Sequence, residues 1–266
     1  MMKKQEFWAK VQTAERYICA LLFPNSAMCP ICLEARNVIV EYGICPDCLE
    51  ELKDIRVPAA ACHKCLSPVK RGSACSMCKT GGMKDVDTSF SPFCYKKGMR
   101  KLVHEFKFEC NGNFLPLFGD EMARALSDTD FDILCPVPLT EERLYSRGRN
   151  QAELLAEALS LRTGIPVVNA LKRTGKKKPQ SETPLHLRAE NVKGCFSVSE
   201  NVMGRKVLII DDVRTTGSTA QACAAVLKKA GALKVGLCTL AVVYRHKTKY
   251  TKKRTPKRKR FQLLKK

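Results

Sequence analysis

No apolar run in this 266-residue chain reaches the roughly 18 residues that a membrane span needs. The run nearest the start, Tyr17 to Phe23, is seven residues long, and no convincing cleavage site follows it before Cys29. Residues 5–22 place Phe7, Val11, Ala14, Ile18 and Leu21 at helical spacing, so they read as an amphipathic helix and not a secretion signal. The expected location is the cytoplasm. Aromatic residues are scarce, at 7%. Any grip on single-stranded nucleic acid must then rest on backbone charge more than on stacked bases. A G-x-x-x-x-G-K-[ST] loop is missing, which excludes a Walker nucleotide site. Acidic residues are missing altogether from Arg245 to Lys266, where twelve Lys or Arg stand. That tail holds more than half of the formal net charge of +21. It suits a solvated tail or a polyanion contact through counterion release. With few apolar anchors beyond Phe261, Leu263 and Leu264, it is a poor membrane anchor.

Cysteine, by contrast, is abundant, and it is organised. Eight of the 15 cysteines form four C-x-x-C pairs: Cys29/Cys32, Cys45/Cys48, Cys62/Cys65 and Cys75/Cys78. Two thiolates separated by two residues can face one ion from a tight turn, and two such knuckles complete a tetrahedral site. Pro30, Gly43, Pro46, Pro68 and Gly72 supply turn residues near them. The expectation is two structural zinc ions, each closed by four cysteines, with consecutive pairing of the knuckles preferred and a crossed pairing left open. Disulfides suit the expected compartment poorly. Eight thiolates and two divalent ions would lower the formal charge to about +17. Cys135, Cys223 and Cys238 sit in apolar surroundings and read as small core residues.

Beyond Gly81 and Gly82 the pattern changes to alternating strands and helices. Strands are expected at Phe131–Val137, Pro166–Ala170, Val207–Asp211 and Lys234–Val243. Helices are expected at Gln151–Leu161, with Asn150 as N-cap and Glu153 three residues on, and at Thr219–Ala230, ended by Gly231. Apolar strands alternating with helices imply a mostly parallel sheet covered on both faces. The ligands of such sheets sit at the carboxyl ends of the strands.

That rule draws attention to "VLIIDDVRTTGST", Val207 to Thr219. Two ionised carboxylates about 6 Å apart repel by roughly 2–3 kcal/mol at an effective dielectric near 20. A ribose ring would use Asp211 and Asp212, because its hydroxyls donate and carboxylates accept. Thr215, Thr216, Gly217, Ser218 and Thr219 offer hydroxyls and backbone N–H groups at a helix start, which is a phosphate cradle. Together they describe a ribose 5-phosphate site. His104 and His186 are assigned no chemistry.

The same stretch resembles the phosphoribosyl pyrophosphate (PRPP) motif of type I phosphoribosyltransferases. With the four knuckles, "LVHEFKFECNG", "DILCPVPLTEERLYSRGRNQAELLA" and "PQSETPLHLRAENVKGCF", the chain resembles the ComF family over roughly residues 29–243. The resemblance implies an α/β fold: a type I phosphoribosyltransferase-like, mostly parallel sheet with helices on both faces, preceded by a small four-cysteine zinc-ribbon module. Its units would be an N-terminal helix (1–25), a double zinc ribbon (26–82), a phosphoribosyltransferase-like domain (83–244) and a basic tail (245–266). It implies that Asp211 and Asp212 hold the ribose hydroxyls of PRPP and that Thr215 to Thr219 hold its 5-phosphate. Pro136, Val137 and Pro138, with Arg143, Arg147 and Arg149, would form the pyrophosphate loop, where arginine forks suit the anion. Family members usually read Arg-Gly-Phe-Asn-Gln there, and Arg149 stands in place of the Phe. Gln180, Arg188 and Asn191 would belong to a mobile loop over the ligand. Magnesium would accompany PRPP. The implied role is in natural transformation, with single-stranded DNA and competence-machinery proteins as partners. Alternatives are a nucleobase or other small-molecule phosphoribosyltransferase, or a non-catalytic, PRPP-responsive nucleic-acid-binding protein.

Overall fold

The structure, a computed structural model, describes residues 28–34, 38–39, 41–69, 74–108, 114–126, 130–174 and 194–244. The helix expected over 5–22, the loop residues Gln180, Arg188 and Asn191, and the basic tail lie outside the described residues.

The first elements belong to the cysteine knuckles. Helix α1 (Pro46–Lys53) opens on the second C-x-x-C pair and α2 (Ser76–Lys79) on the fourth. The edge strands β1 (Thr88–Phe90) and β2 (Phe93–Cys94) follow, then helices α3 (Lys97–Phe108) and α4 (Leu115–Ala125). Next come β3 (Ile133–Pro136), α5 (Glu141–Arg147) and α6 (Gln151–Thr163). A separate antiparallel pair, β4 (Leu171–Arg173) and β5 (Phe196–Val198), precedes β6 (Lys206–Arg214), α7 (Ser218–Lys229) and β7 (Lys234–Val242).

The main sheet is parallel throughout. β6 lies between β3 and β7, and β7 pairs along its other edge with β1 and then β2. Val207 to Ile210 and Val235 to Val242 are all buried, which is why these strands read as unbroken apolar runs. Along the outer edge of β3 the expected strand at Pro166–Ala170 is a single bridge, Leu134 to Val167. Pro166 offers no N–H, and Ala170 N turns back to Val168 O at 2.8 Å instead of extending the ladder.

Helices cover both faces. α3, α4 and α6 pack with Leu208, Ile210, Cys238 and Leu240 on one face. α7 packs with Val207, Ile209, Val235 and Leu237 on the other. The cysteine module straddles the sheet edge between them. Ile31, Ile44, Leu52 and Ile55 join the first core, and Cys62, Cys65, Met83 and Val86 join the second. Arg56 clamps the module to α4, where its Nη2 donates to both carboxylate oxygens of buried Glu121 at 2.9 Å. The module also occupies the outer edge of β1 and β2. Ser89 N donates to His63 O at 2.6 Å, Cys94 N to Ile55 O at 2.7 Å, and Val57 N to Pro92 O at 3.0 Å.

Candidate metal centres and phosphate site

The eight knuckle cysteines fall into two clusters: Cys29, Cys32, Cys45, Cys48 and Cys62, Cys65, Cys75, Cys78. Within each, the sulfur atoms all lie within 4.8 Å of one another. Pairing is therefore consecutive, which spacing alone left open. The two clusters repeat one local design. In each first knuckle the residue after the second cysteine is a leucine in the left-handed region, Leu33 at φ 59° and Leu66 at φ 56°. Its N–H donates back to the first cysteine's carbonyl, at 2.8 and 2.7 Å. In each second knuckle the first cysteine stands at the N-cap position of a helix. Cys75 Sγ accepts from Cys78 N at 3.4 Å.

The donor set fits zinc. Bonds of about 2.3 Å in a tetrahedron put sulfurs about 3.8 Å apart. Cys32 and Cys45 are 4.0 Å apart, and Cys65 and Cys75 are 3.4 Å apart. Burial raises the Cys29 and Cys62 thiols. Surrounding N–H groups outweigh it, from Cys45, Cys32 and Ile31 for Cys29 and from Cys75, Cys65 and Lys64 for Cys62, and bring both to about 7. Burial and neighbouring thiols push Cys48 and Cys78 up. Four thiols this close can all ionise only around a cation.

The acid pair sits inside β6, not at its end. The strand was expected to stop at Asp211 but runs on to Arg214, because Val213 and Arg214 find partners in Ala241 and Val242 of β7. As strand neighbours, the two acids leave the sheet on opposite faces. Asp212 turns to the α3 face, where Lys107 Nζ lies 2.7 Å from its Oδ2. Asp211 turns to the α7 face, into a recess lined by Leu237, Thr239 and the turn from Arg214 to Ala220. Each also accepts from the next backbone N–H: Asp212 N to Asp211 Oδ1 at 2.9 Å, and Val213 N to Asp212 Oδ1 at 2.5 Å. Burial, with repulsion from Asp212, pushes Asp211 up to about 7. Thr239, opposite Asp211 in register, is 1% exposed, and its hydroxyl has no hydrogen-bond partner among the described residues. Carboxylates and hydroxyls of this kind suit sugar hydroxyls and a hard cation such as magnesium.

The turn after β6 sets hydroxyls and a helix start side by side. Gly217 takes φ 82° and caps α7. Thr216 Oγ1 accepts from Ser218 N at 3.1 Å and meets Ser218 Oγ at 2.7 Å. The first N–H groups of a helix lack intrahelical acceptors and point at whatever lies before them. The second cysteine cluster backs this turn. A Cβ on Gly217 would lie 2.7 Å from Met83 Sδ. Asp85 N donates to Gln221 Oε1 at 3.2 Å, and Gln221 Nε2 donates to Asp85 Oδ2. Asp87 Oδ2 accepts from Val235 N at 2.8 Å and pairs with Lys228 at 2.7 Å.

Pro136, Val137 and Pro138 leave the sheet beside the acids, since Pro136 is in register with Ile210 and Val137 N donates to Ile210 O at 2.9 Å. Asn150 fixes the far end of this loop. Its Oδ1 caps α6 through Ala152 N at 3.1 Å, and its Nδ2 donates to Val137 O at 3.1 Å. Glu153 does not complete a reciprocal cap, because its carboxylate takes Asn169 Nδ2 at 3.0 Å. Between them α5 buries no residue. Arg143 and Arg149 are exposed on or beside it, and Arg147 Nη1 donates to Gln151 Oε1 at 3.3 Å. Two functional candidates were not singled out by sequence reasoning. Lys107 lay unmarked within "LVHEFKFECNG". Arg173 lies over the ring of Phe196 at 5.2 Å, and burial, with repulsion from Arg143, lowers its pKa.

A family model described as the phosphoribosyl transferase domain matches residues 146–263. Competence protein ComFC of Bacillus subtilis is 28% identical over 207 residues, which cover 74% of this chain and 83% of that protein. DNA utilization protein YhgH of Salmonella typhimurium is 28% identical over 223 residues, covering 81% and 90%. Competence protein F of Haemophilus influenzae is 38% identical over 114 residues, covering 41% and 50%. Among solved structures, the allosteric regulatory enzyme of purine biosynthesis aligns at 21% identity and a TM-score of 0.33. That alignment covers 47% of this chain and 25% of the enzyme, so the chain spans about a quarter of its length. Purine phosphoribosyltransferase from Pyrococcus horikoshii aligns at 19% identity and a TM-score of 0.33, covering 47% and 71%.

Proposed function

The chain belongs to the ComF family of competence-associated, phosphoribosyltransferase-like proteins, and from that premise we propose that it binds PRPP and works on single-stranded DNA during DNA uptake. One observation carries the ligand: a single strand–turn–helix unit offers carboxylates, hydroxyls and a helix start within nine residues. Asp211 and Asp212 take the ribose hydroxyls, and Thr215 to Thr219 take the 5-phosphate. Pro136 to Pro138 with Arg143, Arg147 and Arg149 take the diphosphate. Magnesium, when bound with PRPP, neutralises diphosphate charge. Two zinc ions in the cysteine clusters serve as structural ions. No helix among the described residues is long and apolar enough to cross a membrane, and the proposed setting is the cytoplasm, beside the competence machinery.

The protein's own contribution to pentosyl transfer would be charge placement and water exclusion at the ribose carbon that loses diphosphate. Among the proposed ligand-binding residues none is a histidine or a glutamate poised as a general base, so the acceptor's chemistry is left to the acceptor. Calorimetry with PRPP and magnesium chloride tests the site. The wild type should bind, and Asp212→Asn should bind at least tenfold more weakly while keeping its melting temperature. Equal affinities would remove the acid pair from the site. Pyrophosphate release on adding candidate acceptors would make the protein a transferase. Binding without release would make PRPP a signal read by a DNA-binding protein.

A further inference from the structure

We propose that the groove between the first cysteine knuckle and α3 is a single-stranded DNA site, where an unstacked base lies against Leu33, Tyr95 and Arg100 and the basic face of α3 holds the phosphates; this rests on the DNA reading above and places the strand on the protein. The two cysteine clusters repeat one design but differ at its leucine. A left-handed residue with a Cβ costs about 1–2 kcal/mol. Leu66 offsets that cost by burial, at 8% exposed in the core with Cys62 and Cys65. Leu33 is 60% exposed. It lines an open groove of about 460 Å³, shared with Tyr95, Arg100, Lys101, His104 and Glu105.

The groove is held firmly on both sides. Met99, Leu102, Val103 and Phe106 form the buried stripe of α3. Lys101 Nζ donates to Ile31 O at 2.6 Å, tying the helix to the knuckle. A Cβ on Gly98 would stand 2.9 Å from Ile31 Cγ2, so helix and knuckle are in close contact. Tyr95 is anchored by its N–H, which donates to Val242 O at 2.7 Å. The Arg100 guanidinium lies over the Tyr95 ring at 5.7 Å. Aromatic rings and guanidinium planes are the surfaces on which unstacked bases lie.

Charge selects the occupant. The helical spacing that buries one stripe of α3 exposes the other, at Lys97, Arg100, Lys101 and His104. From 96 to 107 there are five Lys or Arg and one acid, Glu105. Lys96, Lys97 and Arg100 have no ion-pair partner among the described residues. Cations in a row along an apolar and aromatic groove match a strand that alternates phosphates with flat bases. An acidic peptide would satisfy the cations and leave Leu33 and the Tyr95–Arg100 pair without a match.

The experiment uses fluorescence anisotropy on the full chain with its metals. The probes are labelled oligothymidylate and an abasic strand of equal length. Arg100→Lys keeps the charge and loses the plane. It should bind oligothymidylate at least about fivefold more weakly, the loss of one base stack, and bind the abasic strand as the wild type does. Leu33→Asn, which tolerates the left-handed turn, should do the same. Arg100→Gln should weaken both strands and reduce the slope of log affinity on log salt by about 0.7. All three should keep the wild type's PRPP affinity, which marks them as folded, and the two Arg100 variants serve where Leu33→Asn fails to fold. Wild-type affinity for both strands in the Arg100 variants overturns the proposal. So does equal weakening of poly-glutamate and oligothymidylate by Arg100→Lys, which would make the groove a seat for acidic segments. A wild type that binds neither strand brings down the DNA reading itself, and this inference with it.

Discussion

Gly217 occupies a position that no other residue could hold without loss. Its φ of 82° is left-handed, and the space where a Cβ would stand is filled by Met83 Sδ. Gly217→Ala should destabilise the fold by about 1–3 kcal/mol in denaturant titrations. It should weaken phosphate binding further, since the whole turn must shift. Asp211 makes a second prediction. A carboxyl raised to about 7 in the fold holds its proton more tightly there than in the unfolded chain, where its pKa is about 4. The native state then binds more protons between those values, so stability falls as pH rises from about 4 to about 7 and levels off above. Melting curves of wild type and Asp211→Asn across that range should diverge, the wild type losing ground toward pH 7. A constant gap between the two would place Asp211 in ordinary solvent. The acids themselves were legible in the sequence, because two aspartates after four aliphatic residues demand a polar use. Lys107 was not. It stands 105 positions before Asp212, and nothing local marks a lysine whose partner arrives from another element.

At the level of elements, the limits of α6, α7 and β7 match the sequence reading to within two residues. Their signals are local: an Asn cap, a terminating glycine, an apolar run. β6 overran its expected end, and the strand at Pro166–Ala170 shrank to one bridge. In both cases the deciding fact is the neighbouring strand, which a single stretch of sequence does not contain. Asn150 carries the loop between β3 and α6 at both ends, as helix cap and as donor to Val137 O. Asn150→Ala should cost about 1–2 kcal/mol of stability. It should also loosen diphosphate binding, read as a lower PRPP affinity with an unchanged ribose 5-phosphate affinity. β7 has its own tight point. A Cβ on Gly236 would stand 2.4 Å from the Phe131 ring and 2.8 Å from Leu208. Gly236→Ala should lower the melting temperature by several degrees through overpacking.

Over the whole molecule, the cysteine module and the sheet share their cores, so metal content and ligand binding belong to one system. The full chain should hold two zinc ions, released by a thiol-reactive agent and counted with a colorimetric chelator. Cys48→Ser and Cys78→Ser should each retain one. They should differ in a second measurement. The cluster with Cys78 packs with Met83, which presses on the phosphate turn, so its loss should weaken PRPP binding, while loss of the Cys48 cluster should spare it. The spacing already announced two four-cysteine sets, but not that they would flank the sheet, because spacing fixes a ligand set and not where the set docks.

The carbonyls and amides that the module lends to β1 and β2 have one more effect. They occupy part of the flank of the sheet, whereas a bare flank is an invitation to stack. If the knuckles hold that edge through bound ions, treatment with a chelator should turn the protein cloudy while its circular dichroism is still that of an intact sheet.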